Sequence, residues 1–103
     1  MPYINQKDRQ IYEKQLQNLV DVLVESGLRE SASCFPGHLN YLISSLIKRT
    51  YEQYIKAEVG DDGRLCYDDY NSIIGILECA KQEYYRRLIA PYETEKIEQH
   101  GDI

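Results

Sequence analysis

Lys81 and the run Tyr84-Tyr85-Arg86-Arg87 are the residues whose types and spacing could do chemistry. At 100° per residue, Lys81 falls about 20° from Tyr70 and Leu88, inside the apolar stripe of a helix. A lysine held there needs a carboxylate, a ligand anion or a route by which its ammonium reaches water. Glu78, three residues away, is the nearest carboxylate on that side. Tyr84, Tyr85, Arg86 and Arg87 place aromatic rings and guanidinium forks within about one turn. Such forks take phosphate in two-point fashion, and tyrosine faces stack on bases or guanidinium planes. The set suits a nucleotide ligand, and it equally suits a protein interface, where tyrosine and arginine are preferred anchors. No Gly-rich phosphate loop accompanies it.

Catalytic and metal-binding patterns are sparse. Cys34 and His38 are four apart, but Phe35-Pro36-Gly37 between them disfavours a regular helical pairing, and His100 is near the end of the sequence. Neither offers a nucleophile and base held by a third group. The acidic loop from Glu58 to Asp69 has the 12 residues of a calcium loop, with Asp62, Gly63 and Leu65 where that template wants them. Glu58, Gly60 and Asp69 fail it at the first, third and last ligand positions, so a solvated turn is expected. Cys34, Cys66 and Cys79 are an odd set without a CxxC pair, which argues against a disulfide framework and a zinc site. No cofactor and no metal are expected.

Three amphipathic stretches must position these residues. Asn5 can cap a first helix over 6–26, with Tyr12, Leu16, Leu19, Val20 and Leu23 on one face and Gly27 as its stop. A linker with Pro36 and Gly37 leads to a second helix over 37–57, whose stripe is Leu39, Leu42, Ile43, Leu46, Ile47 and Tyr54. Tyr41, Lys48 and Ile55, at seven-residue spacing, form a second line on that helix. After the Gly60-Asp61-Asp62-Gly63 turn, Asp68 or Asp69 can cap a third helix over 69–90. Its core face would be Tyr70, Ile73, Ile74, Leu77, Ala80, Tyr84 and Leu88. Pro91 marks a break or a restart, and residues 91–103 form a tail with a short helix. The expected fold is all-α, a single domain over residues 1–103 built as a small bundle of three main helices.

At 103 residues the chain suffices for one packed core, and 43% hydrophobic with 28% charged residues argues against wholesale disorder. A net charge of −5 disfavours binding to duplex nucleic acid, which needs an electropositive face. No apolar run approaches the roughly 20 residues that span a bilayer. The first residues lack the pattern of a secretory signal, so a cytoplasmic location and no membrane are expected. Ten tyrosines, one phenylalanine and no tryptophan favour partly wet contacts such as interfaces.

The segments Tyr70 to Lys81, Tyr84 to Arg87, Pro91-Tyr92-Glu93 and Gly101-Asp102-Ile103, together with Met1-Pro2-Tyr3-Ile4 and Leu39 to Ile43, resemble a known family. It consists of uncharacterised proteins of about this length found in tailed bacteriophages and some bacteria. The resemblance spans nearly the whole chain and brings no catalytic residue. It implies a phage or prophage context, with roles such as host modulation or defence evasion in the cytoplasm of the bacterial host. It also draws attention to Gly75, which costs roughly 1 kcal/mol inside a helix and would be explained by a close helix crossing. The leading expectation is a non-enzymatic interaction protein that self-associates and binds a host or phage protein. Its expected faces are Tyr41, Lys48, Tyr51 and Ile55 on the second helix and Tyr85, Arg86 and Arg87 on the third. The alternative is a protein sequestering a nucleotide signal through Lys81, Tyr84, Tyr85, Arg86 and Arg87.

Overall fold

The computed structural model describes residues 4–29 and 34–103. The chain is all-α, with no strand among the described residues, and three main helices as the sequence implies. In chain order they are α1 (Gln6–Arg29), α2 (Phe35–Glu58), and α3 (Tyr67–Tyr84) continuing through a wide turn (Tyr85–Ile89) into α4 (Ala90–His100). Two compact units contain them, Tyr3–Leu65 and Cys66–Ile103.

In the first unit, Asn5 caps α1 as expected: its Oδ1 accepts the Asp8 backbone N–H at 2.8 Å. Gly27 does not stop the helix. It lies inside α1, buried, where a Cβ would overlap the Phe35 ring, so its missing side chain seats that ring against the helix. α2 starts at Phe35, two residues earlier than expected, because Pro36 is tolerated in a first turn whose N–H groups lack helical partners. With Phe35 over Gly27, and Leu23 near Leu42, α1 and α2 run antiparallel as a hairpin. They approach closely over a short stretch only.

α2 ends where Gly60 takes φ 115°, a conformation that favours glycine, and the Gly63 N–H closes the turn on the Gly60 carbonyl at 3.0 Å. Gly63 lies so close to α2 that a Cβ there would stand 2.8 Å from Ile55 Cγ2 and 3.0 Å from Val59 Cβ. The loop thereby covers part of Ile55.

In the second unit the cap expected from Asp68 or Asp69 falls to Cys66. Cys66 is extended, α3 begins at Tyr67, and Asp69 reaches back to accept the Cys66 backbone N–H at 2.8 Å. This is one arm of a capping box. Pro91 marks a restart and not a break: it falls in the first turn of α4, which follows the wide turn directly. In an uninterrupted α-helix its ring would meet the Arg87 carbonyl and its missing N–H would leave that carbonyl unpaired. The chain widens just before it: the Ala90 N–H bonds the Tyr85 carbonyl, five residues back, and the helix proceeds with Pro91 in the first turn of α4.

Within each unit the apolar faces of the helices are incompletely covered. Among the described residues no hydrophobic side chain is buried. Of the face expected to be the core side of α3, Tyr70, Ile74, Leu77, Tyr84 and Leu88 are 39–66% exposed, and Ile73 is half-buried. Within its own unit a two-helix hairpin covers only the line along which its helices touch, and a single long helix covers none of its own stripe. No described helix is long and apolar enough to cross a membrane.

Candidate interaction surfaces

The two stripes of the hairpin meet in a groove of about 550 Å³. Its α1 wall is Leu16, Leu19, Val20 and Leu23, and its α2 wall is Leu39, Leu42, Ile43 and Leu46. These are the i, i+3, i+4 positions of both helices, which the helical period brings to one side. Leu23 and Leu42, nearest the other helix, are half-buried; the rest are exposed. Ser45, Arg49, Thr50 and Gln53 supply a polar rim along α2. Thr50 is occupied locally, its hydroxyl donating to the Leu46 carbonyl at 2.6 Å. The sequence marks these aliphatic residues as core; periodicity identifies the face but not what covers it.

Of the residues expected to form a face on α2, Tyr41 lines this groove and accepts a long hydrogen bond, 3.5 Å, from Arg49 Nη2. Lys48 is solvated and pairs with Glu52 at 3.5 Å. Tyr51 and Ile55 are half-buried, Ile55 beside Gly63. Tyr41 is thus joined to the apolar groove, whereas the loop after α2 takes part of Ile55.

On the long helix, polar side chains around the wide turn form a local charge network. Glu83 takes both arginines: Arg86 Nη2 donates to its two carboxylate oxygens at 3.1 Å, and Arg87 Nε to one of them at 3.3 Å. Tyr85 Oη donates to the Glu93 carboxylate at 3.1 and 3.3 Å. That pair depends on the turn. In a regular α-helix residues eight apart sit about 80° around the axis, and one extra residue in the turn brings them nearly into line. The hydrogen bond to Glu93, and then the nearby negative charge, raise the Tyr85 pKa above the usual tyrosine value.

Lys81 is not held within a covered stripe. Its side chain is 72% exposed and pairs with Glu78 at 3.7 Å, because the stripe it belongs to is itself open. A hydrogen bond from Gln82, and then the Lys81 charge, hold the Glu78 carboxyl below its usual range. Tyr84 is exposed one turn on, and Lys96 lies 5.4 Å from the centre of the Tyr92 ring. Lys81, Tyr84, Tyr85, Arg86 and Arg87 share one helix, on which Lys81 pairs with Glu78, Tyr85 with Glu93, and both arginines with Glu83.

Gly75 faces open space: a Cβ there meets nothing within 4 Å, so the close crossing expected at this glycine is not made. Cys34, Cys66 and Cys79 are not disulfide-bonded. Among the described residues no group of three or more His, Cys, Asp or Glu side chains is placed to hold a metal ion.

The chain belongs to the family described as Domain of unknown function (DUF6899), whose model matches residues 1–103. Comparison with curated proteins and with solved structures found no match.

Proposed function

We propose that this member of a family of unknown function is a non-enzymatic interaction protein that acts by presenting helix faces to other proteins. The observation that carries the reading is the open apolar stripe of the long helix, Tyr70, Ile74, Leu77, Tyr84 and Leu88, on a chain with no buried hydrophobic side chain among its described residues. Isolated helices and two-helix hairpins are marginal in water. Covering a half-exposed Leu, Ile or Tyr contributes on the order of 1 kcal/mol, so a partner laid along such a face contributes what the chain's own packing leaves out. Next to the stripe, Tyr85, Arg86 and Arg87 add the residue types that anchor interfaces. The context we propose is a phage or prophage protein in the host cytoplasm, contacting a host or phage protein and thereby modulating host defence.

Affinity capture from phage-infected bacteria, followed by titration of the purified partner, tests this. The expected result is a protein held in a fixed ratio by the wild type and lost from Tyr84→Glu/Leu88→Glu and from Arg86→Ala/Arg87→Ala. Capture of nothing, or of a protein bound equally by the wild type and these variants, overturns the reading.

A further inference from the structure

Besides the long helix, the α1/α2 hairpin has an open groove, and its size and charge point to one occupant. We infer that the groove takes the same groove of a second copy of this chain, so that two hairpins close into an antiparallel four-helix bundle about a two-fold axis. The inference rests on the reading of the protein as an interaction module and names the partner of one of its faces.

Size is the first argument. Leu16, Leu19, Val20, Leu39, Ile43 and Leu46 are each 41–67% exposed on the same side of the hairpin. Together they leave on the order of 400 Å² of apolar surface, about half of the roughly 800 Å² that a standard interface takes from each partner. Tyr41, Arg49, Thr50 and Gln53 at the edges add the polar surface that rims such an interface.

Charge is the second. The Tyr3–Leu65 unit carries eight basic and nine acidic residues, whereas Cys66–Ile103 carries four basic and eight acidic. Copies meeting through the near-neutral hairpin avoid the like-charge repulsion that copies meeting through the acidic helix would suffer. The groove walls carry no charged residue; Arg49, on its edge, is the one charged residue that lines it. A face of this kind is self-complementary without any ion pair.

The test uses the full chain by itself. Sedimentation equilibrium from micromolar to near-millimolar protein is expected to show a dimer, with Leu16→Glu/Leu46→Glu weakening it at least a hundredfold. Because those variants can lose their fold along with their partner, a second measurement uses wild type only: a mixture of labelled and unlabelled copies, read by isotope-filtered NMR. Intermolecular contacts among the methyls of Leu16, Val20, Leu39 and Leu46 are expected. A wild-type monomer throughout the concentration range overturns the inference, as does a dimer whose intermolecular contacts come from residues 66–103, or a groove whose methyls contact residues 66–103 of the same copy. A wild-type monomer leaves the capture experiment on the long helix standing, and loss of capture leaves the hairpin dimer standing.

Discussion

At the scale of single residues, Tyr85 and Gly63 carry consequences that can be measured. The Tyr85 hydroxyl donates to Glu93, which favours the neutral phenol and raises its pKa in the folded chain above the unfolded value. Its contribution to stability is therefore present below the unfolded tyrosine value and lost as pH rises through the folded one. Following phenolate absorbance, Glu93→Gln is expected to lower the Tyr85 titration. Glu78 behaves in the opposite sense. Its carboxyl is held low by Gln82 and Lys81, so its contribution is present above the unfolded glutamate value and lost as pH falls through the folded one. Gly63→Ala forces a Cβ against Ile55 and Val59 and should destabilise by about 1–3 kcal/mol. Gly75→Ala meets no atom, relieves a helical glycine and should stabilise by about 0.5–1 kcal/mol. Urea unfolding of the two variants is expected to give opposite signs.

At the scale of elements, the wide turn at Tyr85–Ile89 is the feature that most alters what the sequence implies. Proline is a local signal, and at Ala90-Pro91 it reads as the end of a helix. The chain answers with an extra residue in the preceding turn, which removes the clash at the Arg87 carbonyl and keeps one long helix. The extra residue also advances α4 relative to α3, and so brings Glu93 under Tyr85. Pro91→Ala removes the reason for the turn. Carbon chemical shifts are then expected to show an unbroken α-helix from residue 67 to 100, and the raised Tyr85 titration to disappear because Tyr85 and Glu93 separate by about 80°. A Pro91→Ala chain that keeps both the wide turn and the titration would show that packing, and not proline, sets it. Helix ends shifted by two or three residues have similar local causes. Pro36 is accepted in a first turn, and Gly27 serves as a seat for an aromatic ring instead of a C-terminal stop.

For the whole molecule, the open stripes matter most. A protein that covers its apolar faces by association has a melting temperature that depends on its own concentration. Tm is accordingly expected to climb as the chain is concentrated, and the climb to vanish in Leu16→Glu/Leu46→Glu. A nucleotide present at a hundred times its dissociation constant would add about 2.7 kcal/mol. With Lys81 solvated and both arginines engaged by Glu83, a panel of linear and cyclic nucleotides is expected to leave Tm in place.

The amino-acid sequence by itself determined the all-α class, the three main helices, the Asn5 cap and the Gly60 to Gly63 turn. Each of these follows from hydrogen bonds, propensities and periodicity within a few residues of chain. The tertiary structure decided the rest: that Lys81 is solvated, that the stripe from Tyr70 to Leu88 is open, that Tyr41 joins the hairpin groove while Ile55 lies beside Gly63, and that Gly75 crosses nothing. Periodicity reports that a face is apolar, because the spacing of side chains around a helix is fixed. What covers that face depends on residues far away in the chain or in another molecule, and no local spacing encodes it.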